Sequence, residues 1–282
     1  SGLSLLFVLG LTVWVFRSMP KGHSARPFAA GSFGFIVVEA LIGAVLVLLE
    51  LVGNNDSATR AFVIALHQAN TFLLLGCLAA VCTLLRESLS PQVTRLNRAF
   101  LPALATGLVL LCFIAASGAV VALGDTLFPS ESFAAGLAAD MDPTSHFLIR
   151  LRLWHPIIAT VGVGVLLSIS HTMLKRSPTR VTEAMHYSLV FAVILQLSLG
   201  TLNVLMLAPA WLQLAHLAVA DGILILFAIM AADQMYGLPA FQSGVREAAV
   251  TERVIDPQPK YTDPHASLGI RVHRKLSLPD GH

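Results

Sequence analysis

The chain has 282 residues, of which 56% are hydrophobic and 12% are charged. A soluble domain of this size carries about twice that share of charged residues, so the composition excludes an ordinary soluble protein. The formal net charge is only +2, and the basic residues lie in short loops and the tail, which gives no reason to expect nucleic acid as a partner.

Apolar segments long enough to cross a bilayer, which takes about 20 residues in a helix, recur along the chain. A backbone in lipid must satisfy its own hydrogen bonds, and the alternation typical of barrel strands is absent, so these segments are predicted to be helices. The sequence therefore predicts an all-α polytopic membrane protein. We expect about seven spans, named A to G, with approximate limits of 2–16, 30–51, 60–84, 99–123, 147–170, 184–207 and 210–232.

The connections between the spans differ in charge. The loops after spans A, C and E are basic, whereas the loop after span D has no Lys or Arg. Lys and Arg favour the cytoplasmic side, so the D–E loop is predicted to lie outside. The tail is polar with scattered prolines and is expected to be cytoplasmic and disordered. The acidic residues of the D–E loop are Asp125, Glu131, Asp140 and Asp142.

Two parts of the chain resemble each other. The stretch "EALIGAVLVLLELV" (39–52) in span B matches "QLSLGTLNVLMLAP" (196–209) in span F, and each precedes a span that carries a histidine, His67 or His216. Both copies keep the same orientation, so this is a parallel repeat. The repeat predicts two four-helix bundles, of which the first lacks its first helix.

The repeat also predicts the division of the chain. Span A begins without a polar lead, and the counterpart of His155 falls just upstream of Ser1, so we expect a further histidine there. The predicted units are an N-terminal half-repeat (1–123), an outer loop (124–146), a C-terminal half-repeat core (147–232) and a cytoplasmic tail (233–282).

Three histidines, His67, His155 and His216, lie roughly six to nine residues inside the outer ends of their spans, about 10 Å deep at ~1.5 Å per residue. Ionisable groups inside a membrane are usually functional, and imidazole is a common axial ligand of haem iron. The matched depth favours iron ligands over isolated interhelical hydrogen-bonding residues. Zinc is less expected, because no carboxylate or thiol lies at that level.

Other polar residues near the spans leave alternatives open. Glu39 is taken as the one carboxylate near a span centre, and its repeat partner, Gln196, favours an interhelical hydrogen bond over proton chemistry. Arg150 and Arg152 are either interface anchors or partners of haem propionates. His146 is either a propionate contact or a solvated residue.

These features, with the "LIGA" stretch in span B, resemble the haem A synthase (Cox15/CtaA) family of cytochrome oxidase assembly proteins, over residues 1 to about 235. The resemblance implies an oxidoreductase that converts the methyl group of haem O into the formyl group of haem A by successive hydroxylations. It implies a haem b cofactor with His155 and His216 as iron ligands, and His67 as a ligand of the substrate haem iron.

The resemblance also implies a setting. The expected location is the bacterial cytoplasmic (inner) membrane, and the expected partners are haem O, membrane lipid and an electron donor of unknown identity. Haem O synthase and cytochrome oxidase subunits are further candidates.

Some family features differ or fall elsewhere. The family usually has Arg after these histidines, where this chain has Gln68, Pro156 and Leu217. The family's Glu-x-x-His motif would lie upstream of residue 1, so no catalytic residue is assigned within the chain.

Other functions compete with this one. The alternative is a non-catalytic membrane cytochrome b or a haem-binding assembly factor, although a transmembrane cytochrome would place histidine pairs at two depths. A seven-helix transporter or receptor explains the number of spans and leaves the repeat unexplained.

Overall fold

The computed structural model describes residues 2–86 and 98–236, and within these ranges the regular structure is helical, without a strand. This confirms the all-α prediction. The predicted disordered tail begins at residue 233; residues 233–236 are helical, so the prediction is wrong there, and residues 237–282 lie outside the described residues. The helices are α1 (Gly2–Ser18), α2 (Ala25–Leu48), α3 (Ala58–Arg86), α4 (Leu101–Leu127), α5 (Phe133–Met141), α6 (Phe147–Arg150), α7 (Trp154–Arg176), α8 (Arg180–Leu205) and α9 (Ala210–Tyr236), with a 3₁₀ turn at Leu151–Leu153 between α6 and α7.

Six helical segments in the described ranges are long and apolar enough to cross a bilayer, and α1 is a shorter apolar helix. Their outer surfaces carry many large apolar side chains, more than a soluble protein exposes to water. Examples are Phe7, Leu48 and Phe191, each about 70% exposed or more. The protein is therefore an integral, multi-pass membrane protein. Span A corresponds to α1, B to α2, C to α3, D to α4, E to α7, F to α8 and G to α9.

Local sequence explains several helix ends. The Ser57 hydroxyl accepts a hydrogen bond from the backbone N–H of Arg60 at 3.2 Å and caps the start of α3. The Thr179 hydroxyl accepts from the N–H of Thr182 at 2.9 Å at the start of α8. Pro102 occupies the first turn of α4, where its missing N–H costs nothing.

The helix α9 extends beyond the predicted end of span G at residue 232. Asp233 is 1% exposed, and its Oδ2 accepts hydrogen bonds from the hydroxyls of Thr179 at 2.5 Å and Thr182 at 2.7 Å. These bonds attach the last turn of α9 to the start of α8. The apolar periodicity of span G does not indicate these hydrogen bonds, so the helix end predicted at residue 232 is too early.

Four of the helices form a closed ring. α4 packs on α7, α7 on α8, α8 on α9, and α9 on α4, so that α7 and α9 lie across the ring from each other. α3 packs against both α4 and α9, and α2 packs between α1 and α3. A shared apolar core joins α3 to the ring; its fully buried members include Phe72, Leu166, Leu189, Leu224 and Phe227.

The ring bears on the predicted division of the chain. The predicted N-terminal unit, 1–123, includes most of α4, and α4 packs against α3 as well as against α7 and α9. The boundary at residue 123 stays a prediction, and α4 contributes to the site described next.

Candidate functional site

His155 and His216 lie on the two helices that are opposite each other in the ring, α7 and α9. His155 is the second residue of α7 and follows the 3₁₀ turn, while His216 lies in the second turn of α9. Both side chains are half-buried, and the two imidazoles are close enough to interact electrostatically. The structure thus brings together two of the three histidines that the sequence singled out.

The His155 ring is oriented by α4. Nδ1 of His155 lies 2.9 Å from the hydroxyl of Ser117, and that hydroxyl also donates to the carbonyl of Ile114 at 2.8 Å. A serine hydroxyl has one hydrogen; when that hydrogen goes to the carbonyl, the oxygen accepts from Nδ1–H. In that tautomer Nε2 of His155 keeps its lone pair for a ligand.

Gly118 on α4 lets α4 and α7 approach each other beside the His155 ring. A Cβ at position 118 would lie 3.0 Å from Cε1 of His155, closer than nearly all Cβ contacts. Gly118 therefore leaves room for the imidazole beside α4. The small residue is explained by the histidine it faces, 37 residues further along the chain.

His216 has an analogous partner on α8. The side-chain amide nitrogen of Gln196 lies 3.1 Å from Nε2 of His216, and a Cβ at Gly200 would lie 3.2 Å from Cε1 of the same ring. Nδ1 of His216 is buried and has no hydrogen-bond partner among the described residues. A buried ring nitrogen without a partner is costly unless a ligand takes it or the ring turns.

His67 lies on α3, which is outside the four-helix ring and packs against α4 and α9. The partner of His67 is a carboxylate. Oε1 of Glu39 on α2 is 3.3 Å from Nδ1 of His67, an ion-pair distance, although the two groups are not aligned as a hydrogen bond. Asn70 donates to Oε2 of Glu39 at 2.5 Å, and the Thr71 hydroxyl donates to Oε1. Glu39 thus makes the predicted interhelical hydrogen bonds. Its contact with His67 places a carboxylate at the level of the histidines, where the sequence predicted none.

The outer loop is attached to α4 by Arg152, which is 10% exposed at its side chain. Its guanidinium donates to the carbonyl oxygens of Gly124 at 2.8 Å and Phe128 at 2.6 Å. It also lies 2.9 Å from a carboxylate oxygen of Asp125 and 3.7 Å from one of Asp140. These contacts engage Arg152 within the protein, and the two roles considered for it, interface anchor and propionate partner, stay predictions. Burial raises the pKa of Asp140, and the charge of Arg152 opposes that rise.

His146 and Arg150 also have partners in the loops. Nδ1 of His146 accepts from the backbone N–H of Leu148 at 3.3 Å, and Nε2 lies 3.6 Å from a carboxylate oxygen of Asp56. The Arg150 guanidinium donates to the carbonyl of Pro143 at 3.4 Å and is exposed. Both residues connect loop segments in the structure.

Sequence reasoning missed two groups. Asp221 lies within the apolar run of α9, so Glu39 is not the one carboxylate inside a span; Oδ1 of Asp221 is buried without a hydrogen-bond partner in the described ranges. Asp221 could have been identified from the sequence, because it is an acidic residue within an apolar run. Ser117 could not be found in this way, because nothing in a stretch of small residues indicates which distant histidine it will face.

Comparison with known proteins places the chain in a family. The model of the family COX15-CtaA, described as cytochrome oxidase assembly protein, matches residues 1–229. The chain belongs to the COX15-CtaA family. The resemblance noted in the sequence is thereby confirmed.

Relatives in Thermus thermophilus have a different name. Two proteins called protoheme IX farnesyltransferase, from two strains of that organism, are each 40% identical to this chain over 232 residues, which is 82% of this chain. The matched segment spans 38% of the length of each relative. No solved structure matches the chain.

Proposed function

We propose that this protein is a haem A synthase-like oxidoreductase that converts the methyl group of haem O into the formyl group of haem A for cytochrome oxidase assembly. The observation that carries the proposal is the pair His155 and His216, which lie on opposite helices of one four-helix ring, each with a polar partner on a neighbouring helix. Membership of an oxidase assembly family supports the biological setting.

The residues around this pair fit a haem b. Nε2 of His155 has a lone pair for iron when the Ser117 hydroxyl accepts from Nδ1–H. Nδ1 of His216 is buried without a hydrogen-bond partner among the described residues, and so is the amide oxygen of Gln196. With that oxygen turned toward Nε2–H of His216, Nδ1 would have the lone pair that binds iron. Polar partners that orient ligating imidazoles are a regular feature of metal sites. A haem held between them would supply one-electron redox chemistry.

The protein's own residues would orient the ligands and exclude water. Ser117 and Gln196 hold the two imidazoles from α4 and α8, and the glycines at 118 and 200 allow those helices to lie close to the rings. An apolar core lies further along α7 and α9, where Val163 and Ile223 are its buried members nearest the two histidines. This core would keep water from that side of the site.

On this proposal His67 contacts the iron of the substrate haem in the other half of the protein. Its ring is 36% exposed at the side chain, and it lies on a helix that joins the ring to α2. No catalytic residue is proposed within the chain. The electron donor is unidentified, and the topology with the D–E loop outside the bacterial cytoplasmic membrane is part of the proposal.

The name of the Thermus relatives suggests a partner. Farnesyl transfer to protoheme IX is the reaction that their name describes, and the segment shared with this chain is 38% of their length. We infer that the named reaction belongs to the remainder of those proteins. A haem O synthase, which supplies the farnesylated haem, is accordingly the partner that we propose for this chain.

The alternative is a haem-binding assembly factor or membrane cytochrome b that performs no conversion. The His155–His216 pair alone would serve that role equally well. What separates the two is chemistry at haem O, so the test must measure the product.

The test is pigment analysis. Membranes from cells that make haem O and this protein are extracted, and the haems are separated by chromatography. The chain is tested as it stands and with its N-terminus extended by the segment of a haem A synthase that, by the repeat, would precede span A. We expect haem A from the extended protein, its loss in His67→Ala, and none from the chain alone. Haem O alone from the extended protein would favour the alternative.

A further inference from the structure

The three histidines differ in the charge of their partners. Two have an uncharged group beside the ring, a hydroxyl for His155 and an amide for His216. His67 lies beside the carboxylate of Glu39, at 3.3 Å from Nδ1. In the sequence repeat Glu39 aligns with Gln196, so a carboxylate in one half corresponds to an amide in the other.

The carboxylate is held in place from the helix that carries the histidine. Asn70 and Thr71 follow His67 by about one helical turn, so all three side chains lie on one side of α3. Asn70 is 6% exposed and donates both to Oε2 of Glu39 and to the carbonyl of Phe35. Thr71 donates to Oε1. Glu39 is 18% exposed at its side chain and has little freedom to move away from the ring.

A rotation of the His67 ring would align its Nδ1–H with Oε1 of Glu39. At 3.3 Å the Nδ1 and Oε1 atoms are within hydrogen-bonding distance, and only the direction of the N–H departs from a hydrogen bond. Binding of a ligand at Nε2 fixes the plane of an imidazole, and Nδ1–H then points away from that ligand. A carboxylate already in reach of Nδ1 is the group that would receive it.

We infer that Glu39 is a positioning residue for His67: it accepts the Nδ1 proton, which presents Nε2 to iron and makes this imidazole a stronger electron donor than either of the other two. The inference rests on the proposed function, in which His67 contacts a haem iron. A negative partner in an apolar surrounding stabilises the more oxidised iron, so haem at His67 should have a lower midpoint potential than the same haem beside an amide.

A purely structural role for Glu39 is the competing explanation, since its bonds to Asn70 and Thr71 tie α2 to α3. Glu39→Gln distinguishes the two, because glutamine keeps the length and an acceptor oxygen and removes the charge. Gln196→Glu is the matched variant in the other half and should lower the midpoint potential of the haem held by His216.

The experiment loads the purified protein in detergent with ferric protohaem, reduces it, and records the iron–histidine stretching band by resonance Raman spectroscopy. This band arises from five-coordinate ferrous haem, so the six-coordinate haem between α7 and α9 does not contribute. We expect a band that disappears in His67→Ala, shifts to lower frequency in Glu39→Gln, and does not move in Gln196→Glu. The midpoint potential of the same haem should rise in Glu39→Gln.

The outcomes separate the two proposals. If His67→Ala changes neither the haem content nor the band, His67 does not bind haem, and the proposed substrate site is wrong. If His67→Ala abolishes the band and Glu39→Gln does not change its frequency, the inference about Glu39 is wrong, while the proposed substrate site at His67 stands.

If Glu39→Gln fails to fold, His67→Gly is loaded with haem and either imidazole or 1-methylimidazole. Only imidazole can donate an N–H to Glu39, so its band should lie at higher frequency than that of 1-methylimidazole. Equal frequencies would overturn the inference.

Discussion

Removing the Ser117 hydroxyl should weaken haem binding between α7 and α9. In Ser117→Ala the Nδ1–H of His155 loses its acceptor, while the ring and its neighbours keep their places. A hydrogen bond contributes about 1 kcal/mol net, and a buried donor left without a partner costs about 1–3 kcal/mol. Loss of an orienting partner lowers metal affinity by about 10–100-fold at other sites, and each tenfold step corresponds to about 1.4 kcal/mol. The dissociation constant for haem should therefore rise about 10–100-fold.

The assay is transfer of haem from the purified protein to an excess of a soluble haem acceptor, followed by absorbance. Ser168→Ala is the matched control, because the Ser168 hydroxyl is exposed and donates only within its own helix, to the carbonyl of Gly164 at 2.8 Å. Ser117→Thr keeps a hydroxyl and should retain most of the affinity. Equal haem affinity in Ser117→Ala and Ser168→Ala would show that Ser117 does not orient His155 for haem binding.

The packing and the topology give three further predictions. Gly107→Ala should lower the stability by about 1–3 kcal/mol, since its Cβ would lie 2.3 Å from Cζ of the buried Phe227. Gly164→Ala has open space at its Cβ and should not lower the stability, so equal melting curves for the two variants would contradict this prediction. Arg152→Ala should release the outer loop from α4 and speed its cleavage by an added protease, while the exposed Arg150→Ala should leave the rate unchanged. A cysteine in place of the exposed Glu131 should react with an impermeant thiol reagent in intact cells, and labelling only after lysis would reverse the topology.

The helices could be predicted from the sequence, and their mutual contacts could not. Each span is a run of apolar residues, and the length of a run follows from the thickness of a bilayer. The helix α5 was missed because Phe133–Met141 is too short and too rich in alanine to differ from a loop by periodicity. The end of α9 was misplaced because hydroxyls more than 50 residues away stabilise it.

The site divides in the same way. Histidines in apolar runs are visible in the sequence, because placing an imidazole in a membrane requires a compensating role. Their partners are not visible, since Ser117 and Gly118 are ordinary small residues of a span until α7 packs against α4. Glu39 was found, and its contact with His67 depends on the packing of α2 on α3, which the sequence does not specify.

The most direct test of the central claim is the reduced absorption spectrum of the purified chain with bound protohaem. We expect a low-spin, bis-histidine spectrum that persists in His67→Ala. The low-spin spectrum should be lost in both His155→Ala and His216→Ala, and each of these variants should give a high-spin spectrum. A low-spin spectrum that survives in both His155→Ala and His216→Ala would show that the two histidines do not hold the haem between α7 and α9.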